Sequence, residues 1–216
     1  ANDTYLANIT INLYNSTGTL INSTTQLLNS SFFLSFMNLL DGMYFFNATA
    51  YDIAGNVNQT DTRNVTIDTT FPRINFTSPT SPSGLYVSRN WTAINVTVND
   101  TNPANITILL YNITDLVNST SNLNQSTLYD NYTNLPDGVY FFNATTYDQS
   151  ANYNMTETRN ITLDTTRPQI DFVLPTDISG TFSNRNWTLI NVTANDTNLA
   201  NITIYLYNST GLRMTF

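Results

Sequence analysis

Apolar and polar residues alternate along short stretches of this chain, and such alternation predicts β-strands. In the most complete part of the chain, the pattern predicts strands over residues 74–77, 92–98, 105–111, 126–132, 140–147 and 160–164. Alternate side chains of a strand face the same way, so one apolar set is expected to be buried: Ile74, Phe76, Ile94, Val96, Val98, Ile106, Ile108, Leu110, Tyr140, Phe142, Ala144, Ile161 and Leu163. Strands with one solvent-exposed face and one buried face indicate an antiparallel β-sandwich.

The chain repeats itself about every 96 residues, because segment 41–49 recurs at 137–145, 68–72 at 164–168 and 89–92 at 185–188. We therefore predict an all-β chain of tandem sandwiches. One complete module is expected over 71–166. An incomplete module over 1–70 lacks the first two strands, and another over 167–216 has the first three strands only. Either the chain is part of a longer tandem array, or strands of a neighbouring chain complete the two ends.

The outward strand positions are rich in asparagine, and 25 of the 34 asparagines begin Asn-x-Ser/Thr with no intervening proline. This tripeptide is the acceptor for N-linked glycans. Its middle residue is often apolar, which places Asn and Thr on the wet face and the apolar residue in the core. The alternative is a surface that is merely rich in Asn and Thr. The predicted glycosylation sites are Asn8, Asn15, Asn47, Asn64, Asn75, Asn90, Asn95, Asn105, Asn112, Asn131, Asn143, Asn154, Asn160, Asn186, Asn191, Asn201 and Asn208.

The amino-acid composition excludes several classes of function. The chain has no Cys and no His, and its net charge is −8. Without Cys, His or Lys, the usual general bases and activated nucleophiles are missing, so we expect no enzyme and no organic cofactor. The negative net charge argues against nucleic-acid binding. This segment contains no long run of apolar residues, so no membrane span is predicted in it.

Aspartates cluster near the predicted module ends, and two interpretations of them are open. Asp forms turns through hydrogen bonds to its own backbone. Carboxylates and amides are also the oxygen ligands of calcium. The candidate calcium ligands are Asp52, Asp68, Asp100, Asp148, Asp164 and Asp196.

Both tryptophans, Trp91 and Trp187, fall on the outward parity of their strands and are expected outside the central core. Phe45 and Phe141 also face outward. They are expected either to stack on a sugar or to contact a neighbouring module or chain.

Three motifs carry a resemblance: Asp-Thr-Thr-x-Pro at Asp68 and Asp164, the segment 51–56, and Pro136 four residues before Tyr140. With these, the chain resembles the immunoglobulin-like (Ig-like) and fibronectin type III-like modules repeated in archaeal and bacterial cell-surface proteins. The resemblance implies Ig-like sandwiches in which Tyr140 forms a tyrosine corner. It says little about function, because such modules serve many roles.

Sugar acceptors, tandem modules and a short Pro-containing linker together predict an extracellular, cell-surface protein. We expect a structural component of an N-glycosylated filament, stalk, sheath or surface layer, and we expect the organism to be archaeal. Its partners would be copies of itself or further modules of the same chain. The alternative is an adhesin that binds a carbohydrate or protein ligand through residues 78–91.

Overall fold

The computed structural model describes residues 3–215, and every regular element in that range is a β-strand. The strands preceding the central module are β1 Leu6–Tyr14, β2 Leu20–Leu27, β3 Gly42–Asp52, β4 Val57–Gln59 and β5 Arg63–Ile67. Those of the central module are β6 Arg73–Thr77, β7 Leu85–Val87, β8 Thr92–Asn99, β9 Pro103–Tyr111, β10 Leu116–Leu123, β11 Thr127–Tyr132, β12 Gly138–Asp148, β13 Tyr153–Met155 and β14 Arg159–Leu163. Four more follow, namely β15 Gln169–Phe172, β16 Val192–Asn195, β17 Tyr205–Asn208 and β18 Gly211–Thr215.

Two facing sheets build the central sandwich. One sheet has the order β11-β8-β6, and the other has the order β10-β9-β12-β14-β7 with β13 paired to β12. Every pairing in them is antiparallel except that of β7 with β14, which is parallel. The predicted all-β antiparallel sandwich is therefore confirmed.

The core lies between these sheets and contains the apolar residues that the alternation predicted. Ile94, Val96, Ile106 and Ile161 are completely buried. Phe76 of one sheet meets Phe142 of the other edge-to-face, with ring centroids 5.4 Å apart. Each strand therefore presents its apolar side chains to the opposite sheet, as period-two alternation requires.

The tyrosine corner is present in two modules. The Tyr140 hydroxyl donates to the backbone carbonyl of Pro136 at 2.9 Å, and burial raises the pKa of this phenol. Tyr44 makes the same bond to Leu40 at 2.9 Å, although no proline stands there. The corner therefore depends on the tyrosine and the backbone path, not on the proline.

Three strands of the central module were not predicted. β7 and β13 have only three residues each, too few for alternation to be visible. β10 is a polar edge strand with seven of eight residues exposed, so neither of its faces carries an apolar pattern. It is held by its backbone ladder to β9 and by a Thr107–Ser121 hydroxyl bond of 2.9 Å.

The flanking segments have apolar side chains at the same positions as the central module, but these side chains are more exposed to solvent. Ile74 is 7% exposed in the central module, whereas Ile170 at the equivalent position is 55% exposed. Strands β15 to β18 form two separate two-stranded sheets. β18 is a fourth strand in a segment for which the sequence predicted three. Its residues are all exposed, which hides it from a pattern based on burial.

Candidate functional site

A network of hydrogen bonds joins the first module to the central one. Asp68 follows β5 directly, and its Oδ2 accepts a hydrogen bond from the Asn102 side chain at 3.1 Å. The side-chain amide of Asn152 contacts the carbonyls of Asp68 and Thr70 at 3.1 and 3.3 Å. Asn154 donates to the carbonyl of Pro72 at 2.8 Å. The residues between the modules are thus held by two loops and by strand β13 of the module that follows.

A turn built around Asp148 positions these asparagines. Asp148 is 3% exposed, and its Oδ1 accepts from the backbone amides of Ser150 and Asn152 at 2.8 and 2.9 Å. Ala151 lies between them with a φ of 65°, an unusual value for a residue with a side chain. Asp at the head of such a turn stabilises it locally, and the turn places Asn152 beside the linker.

The same linker is held from the preceding module by Asp41. Its Oδ1 accepts from the backbone amide and hydroxyl of Thr69 at 3.0 and 2.8 Å, and its Oδ2 accepts from the Thr70 hydroxyl at 2.7 Å. These bonds, led by that of the Thr70 hydroxyl, hold the pKa of Asp41 below its usual value. Asp137 makes the equivalent three bonds to Thr165 and Thr166, at 3.0, 2.9 and 2.8 Å.

Three of the six predicted calcium ligands come together at this junction. One carboxylate oxygen each from Asp68, Asp100 and Asp148 lies within 4.8 Å of the others. Neither of the two ion pairs found among residues 3–215 includes any of them. Calcium coordinates clustered carboxylates and carbonyls, so this oxygen-rich set suits such an ion.

The other three predicted ligands lie elsewhere. Asp52 closes its own turn with Asn56, whose amide nitrogen lies 2.6 Å from Oδ2. Asp164 accepts from Asn198, and Asp196 Oδ1 accepts from the Asn198 backbone amide at 2.7 Å. These residues repeat part of the junction geometry, but the structure groups only Asp68, Asp100 and Asp148 as a triad within its described range.

The predicted glycosylation sites fall into three structural groups. Three lie in hairpin turns: Asn15, Asn112 and Asn208. Five donate their side-chain nitrogen to another protein atom: Asn47, Asn95, Asn143, Asn154 and Asn191. Of the remainder, Asn64, Asn75, Asn90, Asn131, Asn186 and Asn201 are exposed, and Asn8, Asn105 and Asn160 are half-buried.

Asn47 was expected to be exposed to solvent, but only 7% of its surface is exposed. A polar row across the outer face covers it. The Ser23 hydroxyl donates to Asn12, Asn12 donates to Asn47, and Asn47 donates to Thr62, at 2.8, 3.3 and 3.1 Å. Alternation correctly places Asn47 away from the apolar core, but it does not reveal neighbours that pack beside it on the same face.

The two tryptophans carry arginine on one face. The Arg89 guanidinium lies 4.0 Å from the Trp91 ring centre, and Arg185 lies 4.2 Å from that of Trp187. Arg185 also pairs with Asp177, whose pKa is lowered first by that hydrogen bond. Both rings lie outside the central core as predicted, with Trp91 37% exposed.

Residues 1–69 match the family described as the bacterial Ig-like domain. Similar solved structures include the fibronectin(III)-like modules of CbhA from Clostridium thermocellum, at 16% identity and a TM-score of 0.34, covering 76% of this chain and 82% of that one. No curated protein matches the chain.

Two further structures match over small parts of their own length. An engineered protein shares 16% identity with a TM-score of 0.34, covering 43% of this chain and 20% of that one. Dimeric latent PorU from Porphyromonas gingivalis shares 11% identity with a TM-score of 0.34, covering 76% of this chain and 16% of that one.

The sandwich topology and the family match over residues 1–69 define the class: this chain is built of Ig-like modules. Such modules have structural or binding roles, are often extracellular or surface-exposed, and are typically non-catalytic. Between residues 3 and 215, the structure contains no helix with the length and apolarity needed to cross a membrane.

Proposed function

We propose that this chain is a structural component of an N-glycosylated extracellular filament, stalk, sheath or surface layer, formed by tandem Ig-like modules on a microbial surface that we expect to be archaeal. One observation carries the proposal: residues 68–72 are hydrogen-bonded to the modules on both sides. Asp41 holds Thr69 and Thr70 from the preceding module, while Asn152 and Asn154 hold the same segment from the following one.

A linker fixed from both sides restricts rotation between modules. A flexible linker would allow each module to reorient independently, as Gly/Ser-rich linkers do. Here the junction is short, contains Pro72 and has its backbone carbonyls at Asp68, Thr70 and Pro72 bonded to side chains. Such a connection favours an extended, semi-rigid array, which suits a mechanical role.

The exposed apolar faces of the flanking segments support a proposal about the partner. Ile170 and Phe172 occupy the positions of Ile74 and Phe76, which pack into the central core. Side chains of this kind are stable when a second sheet covers them. We propose that further copies of the module provide this cover, either in the same chain or by strand complementation from a neighbouring chain.

N-linked sugars complete the proposed surface. The outer edges of the central sheets, such as β10, carry unpaired backbone groups. Sheet edges are commonly protected against further pairing by lysine, and this chain has none. Bulky sugars on exposed asparagines would protect these edges and hinder proteases.

Calcium at the triad of Asp68, Asp100 and Asp148 is a further part of the proposal. Three close carboxylates repel one another, and a divalent cation would reverse that repulsion. Because Asp68 belongs to the linker while Asp100 and Asp148 belong to loops of the central module, the ion would tighten the junction. The alternative is that these aspartates serve only as turn residues.

Electron microscopy of the native protein tests the mechanical role. A strand of about ten to twelve residues, at about 3.4 Å each, sets the length of a module, so an axial repeat of about 35–40 Å is expected. Compact particles without this periodicity would contradict a filament or sheath. Intact-glycopeptide mass spectrometry of the same material tests the sugar coat independently.

An adhesin is the second candidate, and the Arg89–Trp91 pair favours it. The Trp91 ring is 37% exposed and lies against the Arg89 guanidinium, and a partly exposed indole of this kind can contact a ligand. Binding to a glycan array that is lost in Trp91→Ala and retained in Tyr129→Ala, an exposed aromatic elsewhere, would support it. Absence of binding to any glycan or surface protein by the unmodified chain would contradict it.

A further inference from the structure

Three predicted sugar acceptors occupy the same structural position. Asn15, Asn112 and Asn208 each lie at the turn of a β-hairpin, joining β1 to β2, β9 to β10 and β17 to β18. Each follows a tyrosine and is followed two residues later by threonine. The rest of the predicted acceptors lie outside these three turns.

In each turn the asparagine bonds to its own acceptor tripeptide. Asn112 Oδ1 accepts from the backbone amides of Thr114 and Asp115 at 2.8 and 2.7 Å, and from the Thr114 hydroxyl at 2.9 Å. The proton of that hydroxyl is also within reach of Asp115 Oδ2, at 2.8 Å. The two backbone amides therefore define the turn whichever oxygen the hydroxyl serves.

The other two turns repeat this arrangement. Asn15 Oδ1 accepts from the Thr17 amide and hydroxyl at 3.0 and 2.7 Å, and from the Thr19 amide at 2.9 Å. Asn208 Oδ1 accepts from the Thr210 amide and hydroxyl at 3.0 and 2.8 Å. In all three, the oxygen is occupied, while the side-chain nitrogen makes no hydrogen bond to any atom of residues 3–215.

Two acceptors within strands, Asn95 and Asn143, show the opposite arrangement, whereas Asn105 and Asn160 accept at Oδ1 as the turn acceptors do, but through partners distant in sequence. The side-chain nitrogen of Asn95 donates to the carbonyl of Ser78 at 2.8 Å, and that of Asn143 donates to the Thr158 hydroxyl at 3.0 Å. Asn143 Oδ1 is buried without a partner in the described part of the chain. The side-chain nitrogen, which would receive the sugar, is already hydrogen-bonded. The side-chain oxygen, which should accept hydrogen bonds, has no donor among the described residues.

This difference matters for the chemistry of sugar transfer. The Asn nitrogen attacks the anomeric carbon of an activated glycosyl phosphate. The new N–C bond forms as the C–O bond to phosphate breaks, the phosphate leaves with that electron pair, and the nitrogen releases one proton. Hydrogen bonds to Oδ1 draw electron density onto oxygen, which makes the side-chain N–H protons more acidic and eases that release. A free, polarised amide is the better acceptor.

We infer that Asn15, Asn112 and Asn208 are favoured sugar acceptors of the folded chain, whereas Asn95 and Asn143 are protected by folding. This inference rests on the N-glycosylation in the proposed function. It distinguishes asparagines that carry glycans at hairpin turns from asparagines whose side chains form hydrogen bonds within the sandwich.

The turn acceptors depend on local hydrogen bonds only. Their bonds join residues two to four apart, so they form without the sheet. The partner of Asn95 lies 17 residues away and that of Asn143 lies 15 residues away, so both require tertiary structure. Folding should therefore change the reactivity of the strand sites far more than that of the turn sites.

A transferase assay tests this difference. The chain is produced in a host without N-glycosylation and incubated, folded, with a soluble N-glycosyltransferase and a nucleotide-activated glucose. Synthetic peptides spanning each acceptor are the unfolded reference. For each site, the initial rate in the protein is divided by the rate in its peptide, using mass spectrometry with site-resolving fragmentation.

The ratio is expected to be close to one at Asn112, Asn15 and Asn208. At Asn95 and Asn143 it is expected to be about tenfold lower, the factor that one hydrogen bond implies. Thr158→Val removes the partner of Asn143 without altering its acceptor tripeptide, and should raise the ratio at Asn143 while leaving that at Asn112 unchanged. Thr62→Val is the matching variant for Asn47, and circular dichroism confirms that each variant is folded.

Equal ratios at turn and strand sites, or lower ratios at the turns, would overturn the inference. A Thr158→Val protein that is folded but unchanged at Asn143 would also overturn it. If the ratios hold but the native protein carries no N-linked sugar, the sugar coat of the proposed function fails while the assigned acceptor preference stands. The two failures are thus distinguishable.

Discussion

The side-chain amide of Asn152 lies 3.1 Å from the backbone carbonyl of Asp68, 84 residues earlier in the chain. This bond joins the central module to the linker that enters it. Because Asn152 also contacts the carbonyl of Thr70 and Asp148 Oδ2, its nitrogen is the centre of the junction.

Asn152→Ala should therefore weaken the junction. Leaving partly buried carbonyls without a donor costs about 1–3 kcal/mol. Urea unfolding followed by tryptophan fluorescence measures this loss, in a Trp187→Phe background where Trp91 alone reports on the central module. Asn131→Ala, at an exposed position on β11, is the control and should change stability by less than about 0.5 kcal/mol.

Asp137→Asn should remove an acid-sensitive contribution to stability. Hydrogen bonds, led by that of the Thr165 backbone amide, keep the folded pKa of Asp137 below its unfolded value of about 3.9. A lowered folded pKa stabilises the protein above the unfolded pKa, and this is lost as pH falls through the folded value. The variant should melt a few degrees below the unmodified chain at neutral pH, and the difference should vanish in strong acid.

Thermal melts followed by circular dichroism at several pH values check this expectation. Asp61→Asn removes an equal charge at an exposed position whose carboxylate makes no hydrogen bond within residues 3–215, and it should melt like the parent. A deficit in Asp137→Asn that persists unchanged in strong acid would argue against the ionised carboxylate as its cause.

Phe142→Ala should destabilise the central module strongly. Phe142 is completely buried and packs edge-to-face on Phe76, so its removal leaves a cavity between the sheets. The expected loss is about 3–5 kcal/mol in urea unfolding. Phe33→Ala is the matched control because that side chain is 91% exposed, and a comparable loss there would contradict this account of the core.

Asp100→Asn should abolish any stabilisation by calcium. At a free calcium concentration about 100-fold above the dissociation constant, binding adds about 2.7 kcal/mol to the folded state. The melting temperature of the unmodified chain should rise in millimolar calcium and return after chelation. Asp171→Asn, an exposed substitution outside the triad, should respond like the parent. If calcium leaves the unmodified chain unchanged, the three aspartates act as turn residues.

Tyr140→Phe removes one hydroxyl and should cost about 0.5–1.5 kcal/mol in urea unfolding. The lost bond is that to the Pro136 carbonyl. Tyr44→Phe, measured by the melting of the first module, should cost a similar amount because the bond to Leu40 has the same length. The control is the exposed Tyr129→Phe; a loss there as large as at Tyr140 would show that the corner contributes nothing special.

Alternation predicted the sandwich core well because burial in a β-sandwich follows a period of two. Ile94, Val96 and Ile161 were placed correctly for this reason. The pattern missed β10, β7 and β13, which depend on backbone pairing and not on an apolar face. β10 and β13 pair with the strands just before them, so only β7 has a partner distant in sequence.

The junction was only partly predictable. Asp68, Asp100 and Asp148 were candidates because aspartates recur near module ends, but which three meet depends on how the linker crosses the loops of the next module. Asp41 was missed as a linker anchor. A signal existed, since Asp-Gly followed 27 residues later by Asp-Thr-Thr occurs at both Asp41 and Asp137.

The parallel pairing of β7 with β14 has a mechanical consequence. Val87 lies near the start of the central module and Leu163 at its end, and the two are partners in the ladder. The Asp164 amide extends it by donating to the Val87 carbonyl at 3.0 Å. A pull on both ends of the module drags these strands past each other in opposite directions. The load then falls on all hydrogen bonds of this ladder together instead of opening them one after another, so the short β7 resists tension in shear.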